Sequence, residues 1–368
     1  MQARAMSPIA LGHLPMLATR LKRLLLATVL ILAALIIAVL WLQRGTADTR
    51  AGVGVIGKAF IDDARDRTLA TYIWYPTQDT TPASLLDDGM VFHGFSAARA
   101  ARPPANPLPL VILSHGAGGN RANQSWLAVS LARQGAIVIA ANHPGSTSGD
   151  FTPATLIQAW RRPQDIQFLL DAVLADPELS PRIDASRIAV IGHSLGGYTA
   201  LAVGGARLSR EGFDHYCQQQ VTAPDCLFYQ YLSPEQRAVD QARFEGDYRD
   251  PRVGAVVALD PTYTAALVPA DPTAATPALL IQPETQAVSG AAESLGEPVI
   301  RTVQIPNIHH FSFLPACKPL GQYVLQVLEP RGGPLCAPET GGDRHFHHQA
   351  ILDTITGFLR AQGTLRGE

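Results

Sequence analysis

The sequence predicts an α/β chain: a mostly parallel, doubly wound sheet with helices on both faces and a helical cap insert, preceded by one N-terminal transmembrane helix. Three observations lead there. From residue 108 onward, short strand-like runs alternate with helix-like stretches. Those runs are continuously apolar, as strands are when helices cover both faces of a parallel sheet. Residues 24–42, LLLATVLILAALIIAVLWL, form an uncharged apolar block long enough to cross a hydrocarbon layer of roughly 30 Å as a helix. At 368 residues, 47% hydrophobic and 16% charged, the chain can bury one large core or two small ones.

Taken in order, the elements begin with the apolar block. Arg20, Lys22 and Arg23 stand just before it, and the positive-inside tendency then puts residues 1–23 in the cytoplasm and the rest of the chain beyond the membrane. The block is longer than the roughly 7–15 apolar residues of a cleaved signal peptide. WLQRGTAD after it offers only a weak cleavage site. An uncleaved signal anchor over 24–42 in the cytoplasmic membrane is therefore expected, with a periplasmic or otherwise extracytoplasmic domain; secretion after cleavage is the alternative.

After a polar connector at 44–51, GVGVIGKAF and RTLATYIWYPT flank IDDARD and read as a hairpin. Residues 78–108 have no clear periodicity and read as a loop. LPLVILSHG and AIVIAANHPG are strands around the helix QSWLAVSLARQG, and RRPQDIQFLLDAVLAD is an amphipathic helix. The strand RIAVI then runs into a helix reaching about Ala206. The strands VGAVVALD, PALLIQ and PVIRTVQI and a last helix, HHQAILDTITGFLRAQ, complete a domain expected over 52–361.

Within that domain, residues 207–251 are too many for an ordinary loop of about 4 to 6 residues. They are expected to form a small helical cap beside the site entrance. The four cysteines fall into two local pairs, Cys217 with Cys226 and Cys317 with Cys336, which suits an oxidising compartment. Four cysteines allow three pairings, and spacing does not choose among them.

Net charge is −2, with no long basic run outside the N-terminus, so a nucleic-acid surface is not expected. No obligate protein partner is indicated, and the substrate is expected to be small or lipid-like.

The chemistry concentrates at IAVIGHSLGGYTALAVGGA. Gly192, His193, Ser194, Leu195 and Gly196 form a GxSxG pattern at a strand-to-helix corner, where glycines on either side permit a turn that exposes the serine as a nucleophile. A serine hydroxyl needs a base, and the base needs an acid to orient it. In a doubly wound sheet both come from loops at the carboxyl ends of later strands. IPNIHHFSFL is the loop directly after the last strand, so His310 and His309 are the candidate bases. His310 is preferred because Phe311, Phe313 and Leu314 follow it as an anchoring cluster. HFHHQ, with His345, His347 and His348, opens the last helix and reads as surface; no metal is expected there.

For the acid, Asp260 ends the strand VVALD and Glu284 follows ALLIQ; either gives the order serine, acid, histidine. The loop SHGAGGN supplies amides for the oxyanion that forms during acyl transfer, with Ala117 and Leu195 as the expected donors. The loop SHGAGGN carries neither GxGxxG nor a GK[ST] ending, so it does not read as a phosphate cradle and no cofactor is expected.

With SHGAGG, GHSLGG, VALDP and HHFSF in that order, the chain resembles the α/β-hydrolases, and within them the platelet-activating-factor acetylhydrolase and dienelactone-hydrolase-like group, over roughly residues 52–361. The resemblance implies the α/β-hydrolase fold and a serine hydrolase acting on carboxylic esters, short-acyl or lipid-like, through an acyl-enzyme. It matches Ser194 to the nucleophile of GHSxGG, Asp260 to the acid of an ALD strand end, and His310 to the histidine before a short aromatic stretch. That branch also has a glutamate at the position of Glu284 that is not its acid. Dienelactone hydrolases use cysteine, so their activity is not implied for Ser194. The cysteine-bearing insert departs from the animal acetylhydrolases, so their lipid specificity is not implied either. A non-catalytic ligand-binding protein of the same fold and an acyltransferase are the alternatives.

Overall fold

A computed structural model describes residues 14–46, 48, 52–221, 223, 226, 233, 240–269, 275–285, 300–329 and 333–367. The chain divides into two units, residues 1–45 and residues 46–368. The first unit holds helix α1 (Leu14–Leu42). Its stretch Arg20–Val39 has a mean hydropathy of 2.4 with no residue buried by the protein, and is long and apolar enough to cross a membrane. Of the expected cytoplasmic segment, residues 1–13 lie outside the described residues.

The second unit is built on a ten-stranded sheet. In chain order its strands are β1 (Val53–Asp62), β2 (Arg67–Pro76), β3 (Ser84–Leu86), β4 (Phe95–Arg99), β5 (Leu108–Ser114), β6 (Ile137–Ala141), β7 (Ile183–His193), β9 (Val253–Leu259), β11 (Ala278–Pro283) and β12 (Ile300–Ile305). Across the sheet they run β12-β11-β9-β7-β5-β6-β2-β1-β4-β3. The six strands from β12 to β6 are mutually parallel. The hairpin β1/β2 is antiparallel and in register from Val53 opposite Pro76 to Asp62 opposite Arg67.

Parallel neighbours need crossovers, and helices supply them. These are α2 (Ser125–Arg133) between β5 and β6, α4 (Arg161–Ala175) between β6 and β7, and α5 (Leu195–Val203) after β7; the short α3 (Pro153–Leu156) precedes α4. Alternate residues of each central strand feed two cores. Ile112, Val190, Val256 and Leu280 face Ile166, Leu169 and Leu170 of α4 and Leu201 of α5. Val111, Ile191, Val257 and Ile281 face Leu127 and Leu131 of α2 and, on the last helix, Ile351, Ile355 and Leu359. Burial on both faces is why these strands carry no polar alternation.

Two expectations are corrected here. Residues 78–108 are not all loop: β3 and β4 extend the sheet beyond β1, with Leu86, Phe95 and Ala97 buried, but they are too short to show a period. The helix after Ser194 stops at Val203, since Gly205 at φ +109° cannot continue it. The chain turns there into β8 (Ala206–Leu208), which pairs with β10 (Leu267–Pro269) in a separate ribbon.

The described part of the insert includes two helices, α6 (Arg210–Gln219) and α7 (Gln241–Phe244), and Phe213 and Phe244 bury into the first core. Residues 222, 224–225, 227–232 and 234–239 of the insert lie outside the described residues. Disulfides join Cys217 to Cys226 and Cys317 to Cys336, with Cα–Cα distances of 5.2 and 5.8 Å. The remaining helices are α8 (Gly321–Leu328) and α9 (Arg344–Ala361).

Candidate active site

β7 ends at His193 and α5 begins at Leu195, so Ser194 is the whole corner. It sits at φ 56°, ψ −119°, a conformation that L residues adopt only when their surroundings enforce it. The enforcement is visible on both sides. A methyl group on Gly192 would overlap the Gly196 carbonyl, and one on Gly196 would overlap the carbonyl of Ser114 on β5. The Ser194 amide donates to the Leu259 carbonyl at the tip of β9 (2.9 Å), and its carbonyl accepts from the Thr262 amide (3.2 Å). Because backbone blocks the space at residue 196, Gly196→Ala is expected to destabilise the domain by about 3 kcal/mol or more, or to prevent folding. Gly254→Ala, whose methyl would meet nothing closer than 3.7 Å, is the matched control in thermal unfolding and should leave the midpoint unchanged.

The loop after β12 brings His310 to this corner. Its Nε2 lies 3.1 Å from Ser194 Oγ, and its Nδ1 lies 2.6 Å from Asp260 Oδ2. Asp260 follows β9 directly, its side chain is 4% exposed, and its amide donates to the Ile281 carbonyl at 2.8 Å. Glu284 follows β11, is exposed, and makes no side-chain hydrogen bond among the described residues.

His309 faces elsewhere. Its Nε2 is 3.3 Å from Glu339 Oε1, and its Nδ1 accepts from the Phe311 amide at 3.2 Å. Burial pushes the Glu339 carboxyl up, but hydrogen bonds from His309, Ser312 and Arg344 outweigh it and hold the group down at about 2. A permanent carboxylate thus clamps the base of the 310–314 turn.

Behind Ser194, the loop after β5 comes so close that a Cβ on Gly116 would stand 3.2 Å from the serine Cβ. The Ala117 amide has no acceptor among the described residues, and the Leu195 amide is a first-turn donor of α5 that the helix leaves unpaired. The neighbouring amides are committed: Gly118 N donates to Ser146 O and Gly119 N to Gly116 O.

Sequence reading missed the side chains that hold this frame. Arg162, fully buried, donates to the His115 carbonyl and to Ser146 Oγ (2.6 Å), Ser114 Oγ (3.2 Å) and Thr199 Oγ1 (3.2 Å). It thereby ties α4 and α5 to the Ala117 loop. Burial pulls its guanidinium down to about 9. Beside it, His143 bridges Ser114 Oγ (3.0 Å) and Asp165 Oδ2 (2.9 Å). His193 Nε2 donates to the His310 carbonyl at 2.8 Å, bracing the backbone of that residue. Position 193 inside GxSxG was the one available signal for that role. Arg162 offered none, because an arginine in an amphipathic helix reads as solvent-facing.

The histidines of HFHHQ also require a correction. His345 is exposed, but His347 and His348 are buried. His348 stacks on Trp126 with centroids 3.7 Å apart, and its Nε2 donates to the Ser312 and Leu314 carbonyls at 3.0 and 2.9 Å. His348 thereby fastens α9 to the 310–314 turn and to α2, partners distant in sequence, whereas His347 Nε2 donates to the Thr340 carbonyl at 3.0 Å. No cluster of three metal-ligating side chains occurs among the described residues.

Residues 109–254 match a family model described as the alpha/beta hydrolase fold. A segment of 104 residues is 35% identical to cutinase est1 of Thermobifida alba and 34% identical to cutinase est2 of the same organism, in each case 28% of this chain and 32% of the cutinase. The chain thus spans about a third of the length of the curated relatives it matches. A ferulic acid esterase from Streptomyces cinnamoneus superposes with a TM-score of 0.56 at 19% identity, covering 88% of this chain and 93% of that one. The chain therefore has the α/β-hydrolase fold, and its segment 109–254 matches the model of that fold.

Proposed function

We propose that the protein is a serine hydrolase of carboxylic esters. The observation that carries this reading is the hydrogen-bonded line Ser194 Oγ, His310 Nε2, His310 Nδ1, Asp260 Oδ2 at a strained strand-to-helix corner. Ser194 Oγ attacks the ester carbonyl carbon while His310 Nε2 takes its proton. The Ala117 and Leu195 amides receive the developing oxyanion. The intermediate collapses, the alcohol leaves with the proton from His310, and Ser194 keeps the acyl group. Water, deprotonated by His310, then attacks the acyl carbon and restores the serine. Asp260 holds Nδ1 protonated and stabilises the imidazolium. The segment shared with the two cutinases supports an ester as substrate. The narrower kinship with the acetylhydrolase and dienelactone-hydrolase-like group rests on the motifs GHSLGG, VALDP and HHFSF.

The same reading takes α1 as a membrane anchor with the catalytic domain outside the cytoplasm, supported by Arg20, Lys22 and Arg23 ahead of the span and by two disulfides. Residues 207–251 are read as a cap shaping the entrance.

The test is labelling of the full chain by a fluorophosphonate probe together with turnover of p-nitrophenyl esters of graded acyl length. A folded protein that shows neither sinks the hydrolase reading. Asp260→Asn is expected to lower kcat by about 10⁴-fold, whereas Glu284→Gln should change it by no more than about twofold. The opposite ranking would move the acid to Glu284.

A further inference from the structure

Between the hairpin β1/β2, the start of α4 and α7 lies a cavity of about 340 Å³ lined by Arg65, Arg67, Trp160, Arg161, Gln164 and Arg243. Thr71 of β2 is opposite Ala141 at the end of β6, and β2 runs antiparallel to β6. Arg67, four residues before Thr71, therefore lies past the carboxyl end of β6, along the sheet edge that also carries Ser194.

Four guanidinium groups meet there, and among the described residues their carboxylate partners are three. Arg65 pairs with Asp62 (2.5 Å) and Asp165 (3.0 Å), Arg67 with Asp165 (2.6 Å), and Arg243 with Asp240 (3.3 Å). Asp165 is divided further, since it also binds His143. Arg161 is exposed, and its side chain has no hydrogen-bond or ion-pair partner among the described residues. Its surroundings oppose its charge: burial pulls its pKa down first, then Arg67, with Arg243 and Arg65 adding to the effect and only Asp165 opposing it.

The helix adds to the cost. Arg161 and Arg162 open α4, which has no acidic residue in its first turn, so both cations stand at the positive end of the dipole. Arg162 is accounted for by its grip on the Ala117 loop. Among the described residues nothing accounts for Arg161.

We propose that this cavity is a binding site for an oxyanion of the phosphate type, free or as the monoester group of an organic ligand, with Arg161 and Arg243 as its solvent-side clamps and Trp160 as an apolar wall. A dianion with three or more acceptor oxygens matches several guanidinium forks at once. It would also neutralise the cations left at the helix start. The proposal is independent of the esterase reading, because no member of the Ser194–His310–Asp260 line takes part.

The experiment is calorimetric titration of the full chain in detergent with inorganic phosphate, glycerol 3-phosphate and acetate, at ionic strength held constant with chloride. Saturable binding of phosphate is expected, with Arg161→Gln and Arg243→Gln each weakening it by about tenfold or more. Both side chains are exposed, and equal thermal midpoints of variants and wild type without phosphate confirm intact folding. Equal affinity for the two phosphate ligands assigns the site to the free ion, and tighter binding of the monoester assigns it to an organic phosphate; both support the proposal. No saturable phosphate binding, acetate binding as tight as phosphate, or an Arg161→Gln variant that binds like wild type overturns it.

Discussion

Ser194→Ala is expected to abolish covalent labelling by a fluorophosphonate probe and to lower ester turnover by about 10⁴-fold or more. The size follows from the role proposed for Ser194: Oγ is the atom that becomes acylated, so its removal closes the covalent route altogether. The corner itself should survive. Alanine keeps the Cβ, and the strain at φ 56° is enforced by the Gly192 and Gly196 contacts and by the amide tie to Leu259, none of which uses the hydroxyl. Thermal unfolding of the variant should therefore match wild type, which separates lost chemistry from lost fold. His310→Ala is expected to cost a similar factor, and the double variant little more, because serine and histidine act as one unit. His309→Ala should retain most activity, since its ring faces Glu339. If His309→Ala proves the inactive one, the two histidines exchange roles.

The reason the sequence could place Ser194, Asp260 and His310 at one edge of the sheet, where the three side chains meet, is topological. In a parallel sheet every strand delivers its next residues to one edge, so a chain that reads strand then GHSLGG, strand then DP, strand then HH must gather those residues there. The acid stayed open between Asp260 and Glu284 on spacing alone, because β9 and β11 are neighbours and both end at that edge. The distance to His310 Nδ1 is a tertiary quantity. What the sequence hid follows one rule: polar side chains made structural by partners far along the chain look like surface. Arg162 in α4 and His348 in α9 occupy helices whose polar residues are otherwise solvated. β3 and β4, at three and five residues, fall below the length at which a period can be recognised.

Those hidden histidines make the fold acid-sensitive, and the expected result is loss of the folded domain as pH falls from about 6.5 toward 4. His115, His143, His193 and His348 are 1%, 0%, 3% and 6% exposed. Burial, the largest influence on each, keeps their imidazoles neutral. It is joined by Arg162 at His115 and His143 and by His310 at His193, while hydrogen bonds to the Ser312 and Leu314 carbonyls partly offset it at His348. His143 is drawn down to about 4 and His348 to about 3, with the other two well below their ordinary value.

In the unfolded chain each regains a pKa near 6.5. Below that pH the unfolded state binds protons that the folded state refuses, so stability falls as pH falls until the folded values are reached. Each such histidine contributes a slope of about 1.4 kcal/mol per pH unit, and four together about 5 kcal/mol per unit, against a typical total of about 5–15 kcal/mol. The buried carboxylates do not act in this window. Asp165, where hydrogen bonds from His143 and Arg67 overcome burial, and Glu339 are both held at about 2. What they contribute is intact above their unfolded values near 4 and is lost only below. Urea unfolding at a series of pH values should therefore show stability dropping by several kcal/mol between pH 7 and pH 5.5, with circular dichroism giving an acid midpoint near ~5. A stability that stays flat down to pH 4.5 would mean that these imidazoles already carry protons in the fold, and the bracing assigned to His193 and His348 would have to be rebuilt with both ring nitrogens as donors.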